Sequence, residues 1–254
     1  MWLGIGAEGS AKSDGLIRSL VPDGMRGVML LQDRLKHSRI MLDEIFSQYG
    51  PDRTAVAWTG GKDSTVALWL WRGLLQEHGK FPPRAVNLDT GLKFPEILEL
   101  RDRMTQEWDV TLHVQRPDID LNVYPVAADK LTCCRDLKIL PLQKAIDECG
   151  ITALITGLRR DEHPNRTDRD YIEQRRNPDH VQVNPILDWT EMDVWACIME
   201  HGLPYCSLYN VGYRSLGCMP CTLAPDQVQG DAERAGRDPE KERQMESLRS
   251  LGYF

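Results

Sequence analysis

Thr54-Ala55-Val56-Ala57-Trp58-Thr59-Gly60-Gly61-Lys62-Asp63-Ser64-Thr65-Val66-Ala67-Leu68 runs from one apolar stretch, through two glycines, into a second that continues to Gln76. Thr54 to Trp58 reads as a buried strand, Thr59 to Ser64 as a glycine turn, and Thr65 to Gln76 as a helix rich in Leu and Trp. A strand that turns on glycine into a helix is the first unit of a parallel sheet, because parallel neighbours need a crossover that a helix supplies.

The pattern repeats downstream. Arg84 to Leu88 reads as a second strand, followed by a turn at Asp89-Thr90-Gly91 and a helix from Pro95 to Trp108. Val110 to Val114 is a third strand, Leu137 to Glu148 a helix, and Ala153 to Thr156 a fourth strand that closes on Gly157. Upstream, Leu31, Leu35, Ile40, Met41, Leu42, Ile45 and Phe46 fall mostly on one helical face, which Gly50-Pro51 ends. Strands and helices in alternation predict an α/β fold, a Rossmann-like parallel sheet with helices on both faces. The expected organisation is a loose arm over residues 1–28, one nucleotide-binding domain over 29–225 and a polar tail over 226–254, a solvated loop followed by a helix.

Composition limits the function classes. Across 254 residues, 41% hydrophobic and 27% charged describe a folded globular chain. A formal net charge of −7 argues against a surface built to grip a polyanion unaided. The opening residues lack a basic segment followed by an unbroken apolar run, and no stretch approaches the roughly 20 apolar residues of a membrane span. The expectation is a cytoplasmic protein with no membrane partner. Seven cysteines, two adjacent and two in a C-x-x-C, point to metal ligation in a reducing compartment.

Thr59-Gly60-Gly61-Lys62-Asp63-Ser64 lies between strand and helix, which makes it an anion site. Glycines let backbone amides approach a phosphate, the helix presents unpaired N–H groups, and Lys62 and Ser64 add a charge and a hydroxyl. The loop does not fit the G-x-x-x-x-G-K-[ST] pattern of Walker-type enzymes. Asp89 and Thr90, at the end of the second strand, are placed to face a ligand in the crevice at the sheet edge, unless Asp89 only caps its turn. Gly157-Leu158-Arg159-Arg160 and the nearby Arg166 put three guanidinium groups on one loop at the same edge, suited to phosphate or sulfate oxygens. Cys133, Cys134, Cys218 and Cys221 offer four thiolates from two points on the chain, a set for an iron–sulfur cluster or a structural zinc. Cys149, Cys197 and Cys206 read as core or lining residues.

The hexapeptide resembles the S-G-G-K-D-S signature of the PP-loop adenine-nucleotide α-hydrolases, with Thr59 for Ser. Leu88-Asp89-Thr90-Gly91-Leu92-Lys93-Phe94-Pro95-Glu96 is similar to a stretch of the sulfonucleotide reductases and of the small subunit of ATP sulfurylase. The Arg159 loop resembles their G-x-R-R-D loop, and the cysteines resemble the C-C…C-x-x-C set of iron–sulfur reductases. By this resemblance Thr59, Gly60, Gly61, Lys62, Asp63, Ser64, Asp89, Thr90 and Gly157 hold an adenine nucleotide, ATP or adenylylsulfate. Lys62, Asp63, Arg159, Arg160 and Arg166 then act on its phosphates, Mg²⁺ joins them through Asp63 or Asp89, and the four cysteines hold a [4Fe–4S] cluster.

The pattern breaks at the tail. Reductases of this family attack the ligand's sulfur with a C-terminal cysteine, whereas here no cysteine follows Cys221 and Leu251-Gly252-Tyr253-Phe254 resembles the end of the ATP sulfurylase small subunit. Glu148-Cys149-Gly150-Ile151 resembles the reductase nucleophile segment but lacks its His and runs into a buried strand. The expected reaction is therefore that of an ATP pyrophosphatase: cleavage of the α–β bond adenylates a substrate for sulfur insertion. Its partners would be a sulfur donor, a cysteine desulfurase or a thioredoxin-like protein, with a nucleic acid as one acceptor, and the chain could form a homo-oligomer. The alternatives are a sulfonucleotide reductase whose thiol comes from another chain, and a nucleotide- and cluster-binding subunit without turnover.

Overall fold

The structure, a computed structural model, describes residues 30–79 and 82–252. The expected N-terminal arm lies outside them. Helix α1 (Leu31–Tyr49) leads into β1 (Thr54–Ala57), α2 (Lys62–Glu77), β2 (Arg84–Leu88), α3 (Pro95–Glu107) and β3 (Thr111–Gln115). Then follow α4 (Lys130–Cys134), α5 (Leu140–Glu148), β4 (Ala153–Ile155), β5 (Ile172–Arg175), β6 (His180–Val183) and α6 (Glu191–Glu200). Two short helices, α7 (Pro239–Arg243) and α8 (Met245–Ser250), finish the described chain.

The six strands form one sheet in the order β3-β2-β1-β4-β6-β5. All pairs are parallel except β5 with β6. Alternation along β1 divides its side chains between the two faces. Val56 joins Leu68 and Trp71 of α2, Met41 and Ile45 of α1, and Leu100 and Met104 of α3 on one side. Ala55 and Ala57 join Leu142, Ala145 and Ile146 of α5 on the other. With both faces covered, all four residues of β1 are buried, and the run Ala55-Val56-Ala57 is apolar rather than alternating.

The order reverses between β1 and β4, so a crevice opens at their C-terminal ends, where open α/β sheets bind ligands. Two glycines shape it. Gly60 takes a φ of +84°, and a Cβ on Gly157 would lie 2.6 Å from the backbone of Asp63 and Ser64. The β4 loop can therefore pack directly on the β1 loop.

Three differences from the sequence reading have physical causes. The helix expected from Leu137 begins as a π-turn segment, Arg135–Ile139, because Pro141 lacks the N–H that would bond the Leu137 carbonyl. The β5–β6 hairpin was not expected; its strands are short, and Glu173, Gln174 and Arg175 give β5 no apolar pattern. The tail was expected to be solvated, yet it buries Glu233, Arg234, Arg237 and Lys241. Met245 and Leu248 of α8 pack on Cys134 and Ile139, which anchors the tail over the cysteine region.

Candidate functional site

The loop after β1 lines an open cavity through Thr59, Gly61, Lys62, Asp63 and Ser64. Thr90 and Lys93 enter from the β2 side, Thr156 and Gly157 from β4, Tyr209 from the 3₁₀ turn Ser207–Val211, and Arg234 and Arg237 from the tail. The Ser64 hydroxyl lies 3.0 Å from the Thr59 hydroxyl, so the Thr in place of Ser keeps the loop's internal bond. The first helical N–H, of Lys62, donates to the Tyr209 hydroxyl at 3.1 Å. Burial pushes the Tyr209 phenol up to about 12, against the pull of Lys62.

The loop's charged residues pair with Glu233 and Arg159, and Arg159 extends the set to Asp161 at 3.3 Å. The Lys62 ammonium is 1% exposed and lies 2.5 Å from Glu233 Oε1 and 3.2 Å from Asp63 Oδ2. Arg159 is fully buried; its Nε donates to Asp63 at 2.6 Å, and its Nη2 donates to both Glu233 oxygens at 2.6 Å. Burial alone would lower the Lys62 and Arg159 pKa values, but Asp63 and Glu233 raise both. Burial likewise raises the Glu233 carboxyl, while the two cations pull it back.

Several residues nominated from the sequence sit elsewhere. Arg160 turns away: it pairs with Asp188, donates to the Arg169 carbonyl at 2.5 Å and stacks over Tyr171. Arg166 lines the cavity and pairs with Glu162, whose other oxygen takes Arg234 at 2.6 Å. Asp89 caps its turn through Gly91 N–H at 3.1 Å and binds Arg116 at 3.1 Å, while Leu88, Thr90 and Lys93 line the cavity from this side. Asp63 and Asp89, one of which was expected to hold Mg²⁺, pair here with Lys62 and Arg159 and with Arg101 and Arg116 respectively. Cys197 and Cys206 are buried in the apolar core, as expected.

Cys133, Cys134, Cys218 and Cys221 line one small second cavity, and all four are buried. Cys133 and Cys134 come from α4, whose first turn Asp129 caps at Thr132 N–H, 2.6 Å away. The other two flank the 3₁₀ turn Met219–Cys221, which the Leu92 carbonyl holds through Met219 N–H at 2.8 Å. Burial raises the Cys133 thiol, and the charges of the other three cysteines add to it. Burial would also raise Cys218, yet Lys138, the Thr90 hydroxyl, Lys241 and Arg237 bring it down to about 7. Among the described residues no three His, Cys, Asp or Glu side chains close on a point as ligands of one metal ion do.

Cys218 and Lys138 line both cavities, which makes them the shared wall between nucleotide loop and cysteines. The sequence reading missed Lys138, Tyr209, Glu233, Arg234 and Arg237. Only Lys138 carried a local signal, its place four residues after Cys134.

Comparison with known proteins gives a consistent result. Residues 53–224 match the phosphoadenosine phosphosulfate reductase domain. An adenosine 5'-phosphosulfate reductase from Staphylococcus haemolyticus is 32% identical over 216 residues, 81% of this chain and 84% of that one. A phosphoadenosine 5'-phosphosulfate reductase from Xanthomonas campestris is 32% identical over 67% of this chain and 71% of its own. The crystal structure of a phosphoadenylyl-sulfate reductase from Candida auris superposes with a TM-score of 0.59 at 20% identity, covering 76% of this chain and 98% of that one. Among the described residues no helix is long and apolar enough to cross a membrane.

Proposed function

Since the chain belongs to the phosphoadenosine phosphosulfate reductase family, we propose that it is a sulfonucleotide reductase, binding adenylylsulfate or its 3'-phosphorylated form and releasing sulfite and the adenosine phosphate. The observation that carries this reading is the wall shared by the two cavities: Cys218 and Lys138 face both the nucleotide loop and the four thiols. A nucleotide whose phosphates rest on the β1 loop would place its outer anionic group toward that wall.

In this reading the α2 N-terminus and the loop amides hold the α-phosphate, with Ser64 and Thr59 as hydroxyl partners. Thr90, Lys93 and Arg166 line the approach to the sulfate end, which Lys62 meets from the phosphate loop in the same cavity. A thiolate from a thioredoxin-like partner attacks the ligand's sulfur; the S–O bond to the phosphate breaks, and the adenosine phosphate leaves with the bonding pair. A second thiol then attacks the partner's sulfur, giving a disulfide and sulfite. Charge that develops on the departing phosphate is met by the helix end and by Lys93, groups already oriented before reaction.

Four buried thiols around one cavity fit an iron–sulfur group by their chemistry. Cys133, Cys134, Cys218 and Cys221 would hold it, and bound there it supplies a fixed charge distribution beside the sulfate end. Thr90 donates toward Cys218, or accepts from it, at 3.4 Å and so ties that wall to β2.

ATP activation for sulfur insertion is the second reading, favoured by Lys62 in the phosphate loop. The relatives' activities support the reductase reading better. Calorimetry separates them: adenylylsulfate should bind competitively with AMP and more tightly than ATP. Binding of ATP but not of adenylylsulfate would sink the reductase reading.

A further inference from the structure

Glu233 lies outside the stretch matched by the family, on the tail, yet it supplies a carboxylate to the two most buried cations of the nucleotide site. Lys62 belongs to the phosphate loop and Arg159 to the β4 loop. Glu233 lies 2.5 Å from the first, and both its oxygens lie 2.6 Å from Nη2 of the second. Asp63 and, at 3.3 Å from Arg159, the half-exposed Asp161 meet the cations from the edge of the set, and Glu233 is the buried carboxylate that both cations share. Without Glu233 the buried sides of both cations would lose their shared anion and keep only Asp63 and the half-exposed Asp161, which is unfavourable in the interior, so a site awaiting an anion gains from a resident one.

The geometry points to Glu233 as that resident anion: it holds the place of the ligand's terminal sulfate or phosphate on Lys62 and Arg159, and yields it when the ligand binds. Two features of the tail suit an exchange. Residues 229–232, just before Glu233, are exposed, Gly230 takes a φ of +93° with open space around it, and the Asp231 carbonyl is held by the exposed Arg214, a surface bond that can break without unpacking a core. Residues beyond Glu233 are anchored independently, by Arg234 on Glu162 and Glu242 and by Leu223 N–H on the Gly236 carbonyl. The chain can therefore move at Glu233 while the tail stays docked.

This inference rests on the nucleotide reading of the site and deepens it, because it assigns the terminal group of the ligand to Lys62 and Arg159. AMP, which has no terminal group, and adenylylsulfate, which has one, separate the two. In Glu233→Gln, calorimetry should show adenylylsulfate bound about tenfold more tightly, with AMP changed by less than about twofold. In the wild-type protein, hydrogen exchange over residues 228–238 should rise with adenylylsulfate and stay level with AMP, a readout that needs no variant to fold. Unchanged or weaker adenylylsulfate binding by a folded Glu233→Gln, or exchange that falls or does not respond, would overturn the exchange while AMP binding still upholds the nucleotide site. Failure of both ligands to bind either protein would remove the nucleotide reading and this inference together.

Discussion

The Cys218 sulfur lies 3.4 Å from the Thr90 hydroxyl, which joins the second cysteine pair to the end of β2. Thr90 also accepts from Leu92 N–H at 3.3 Å, and the Leu92 carbonyl in turn holds Met219 N–H. The loop after β2, which lines the cavity, and the loop that carries Cys218 and Cys221 are thus one hydrogen-bonded unit.

Protein purified without oxygen should carry iron and acid-labile sulfide and be brown. Cys134→Ser or Cys218→Ser should lose both, whereas Cys197→Ser, in the apolar core, should keep them. Metal analysis decides; full iron content in either ligand variant would contradict the assignment.

Lys62 looks in the sequence like an exposed turn residue that could be removed without harm to the fold. The structure buries it between Asp63 and Glu233. Lys62→Ala should therefore cost about 3 kcal/mol of stability, as for removal of one partner from a buried ion pair. Urea unfolding measures this, and a loss below about 1 kcal/mol would class the contact as a surface pair.

Arg160 is turned toward Asp188 and Tyr171 rather than into the cavity. Arg160→Ala should leave AMP and adenylylsulfate affinity within about twofold of wild type and cost about 0.5–1 kcal/mol of stability, as a partly exposed ion pair does. A drop of tenfold or more in affinity, by calorimetry, would place its guanidinium on the ligand.

Lys93 titrates at about 8, lowered first by burial and then by the charge of Lys138, with Asp89 acting in the opposite sense. An anionic ligand beside it raises that value, so binding near pH 8 should take up a proton and weaken as pH rises through 8 to 9. The stability sign is opposite. Between about 8 and the unfolded value near 10.5 the unfolded chain binds more protons, so the fold gains stability with pH in that window. Calorimetry in two buffers of different ionisation enthalpy counts the proton; equal uptake in Lys93→Met would assign it elsewhere.

The central sheet was legible because each of its strands near the site is an apolar run that ends on a glycine or an Asp-Thr-Gly turn. β1 and β2 begin at the expected residues and β4 likewise at Ala153. The phosphate loop and the cysteine pairs were legible for the same reason: their chemistry lies in neighbouring residues. Glu233, Arg234 and Arg237 were not, because a charged residue in a polar segment looks the same whether it meets water or a buried partner far away in the chain. Arg159 and Arg160 show the limit most sharply. They are adjacent and chemically identical, yet one is fully buried on Asp63 and Glu233 and the other pairs with Asp188 at the surface.

The most direct test of the reductase reading is a product assay on iron-loaded protein, without oxygen, with adenylylsulfate, its 3'-phosphorylated form or Mg-ATP, each with thioredoxin and an excess dithiol. The account predicts sulfite together with AMP or its 3'-phosphorylated form from one of the two sulfonucleotides, and no pyrophosphate from ATP. Pyrophosphate and AMP from ATP, with no sulfite from either sulfonucleotide, would contradict it.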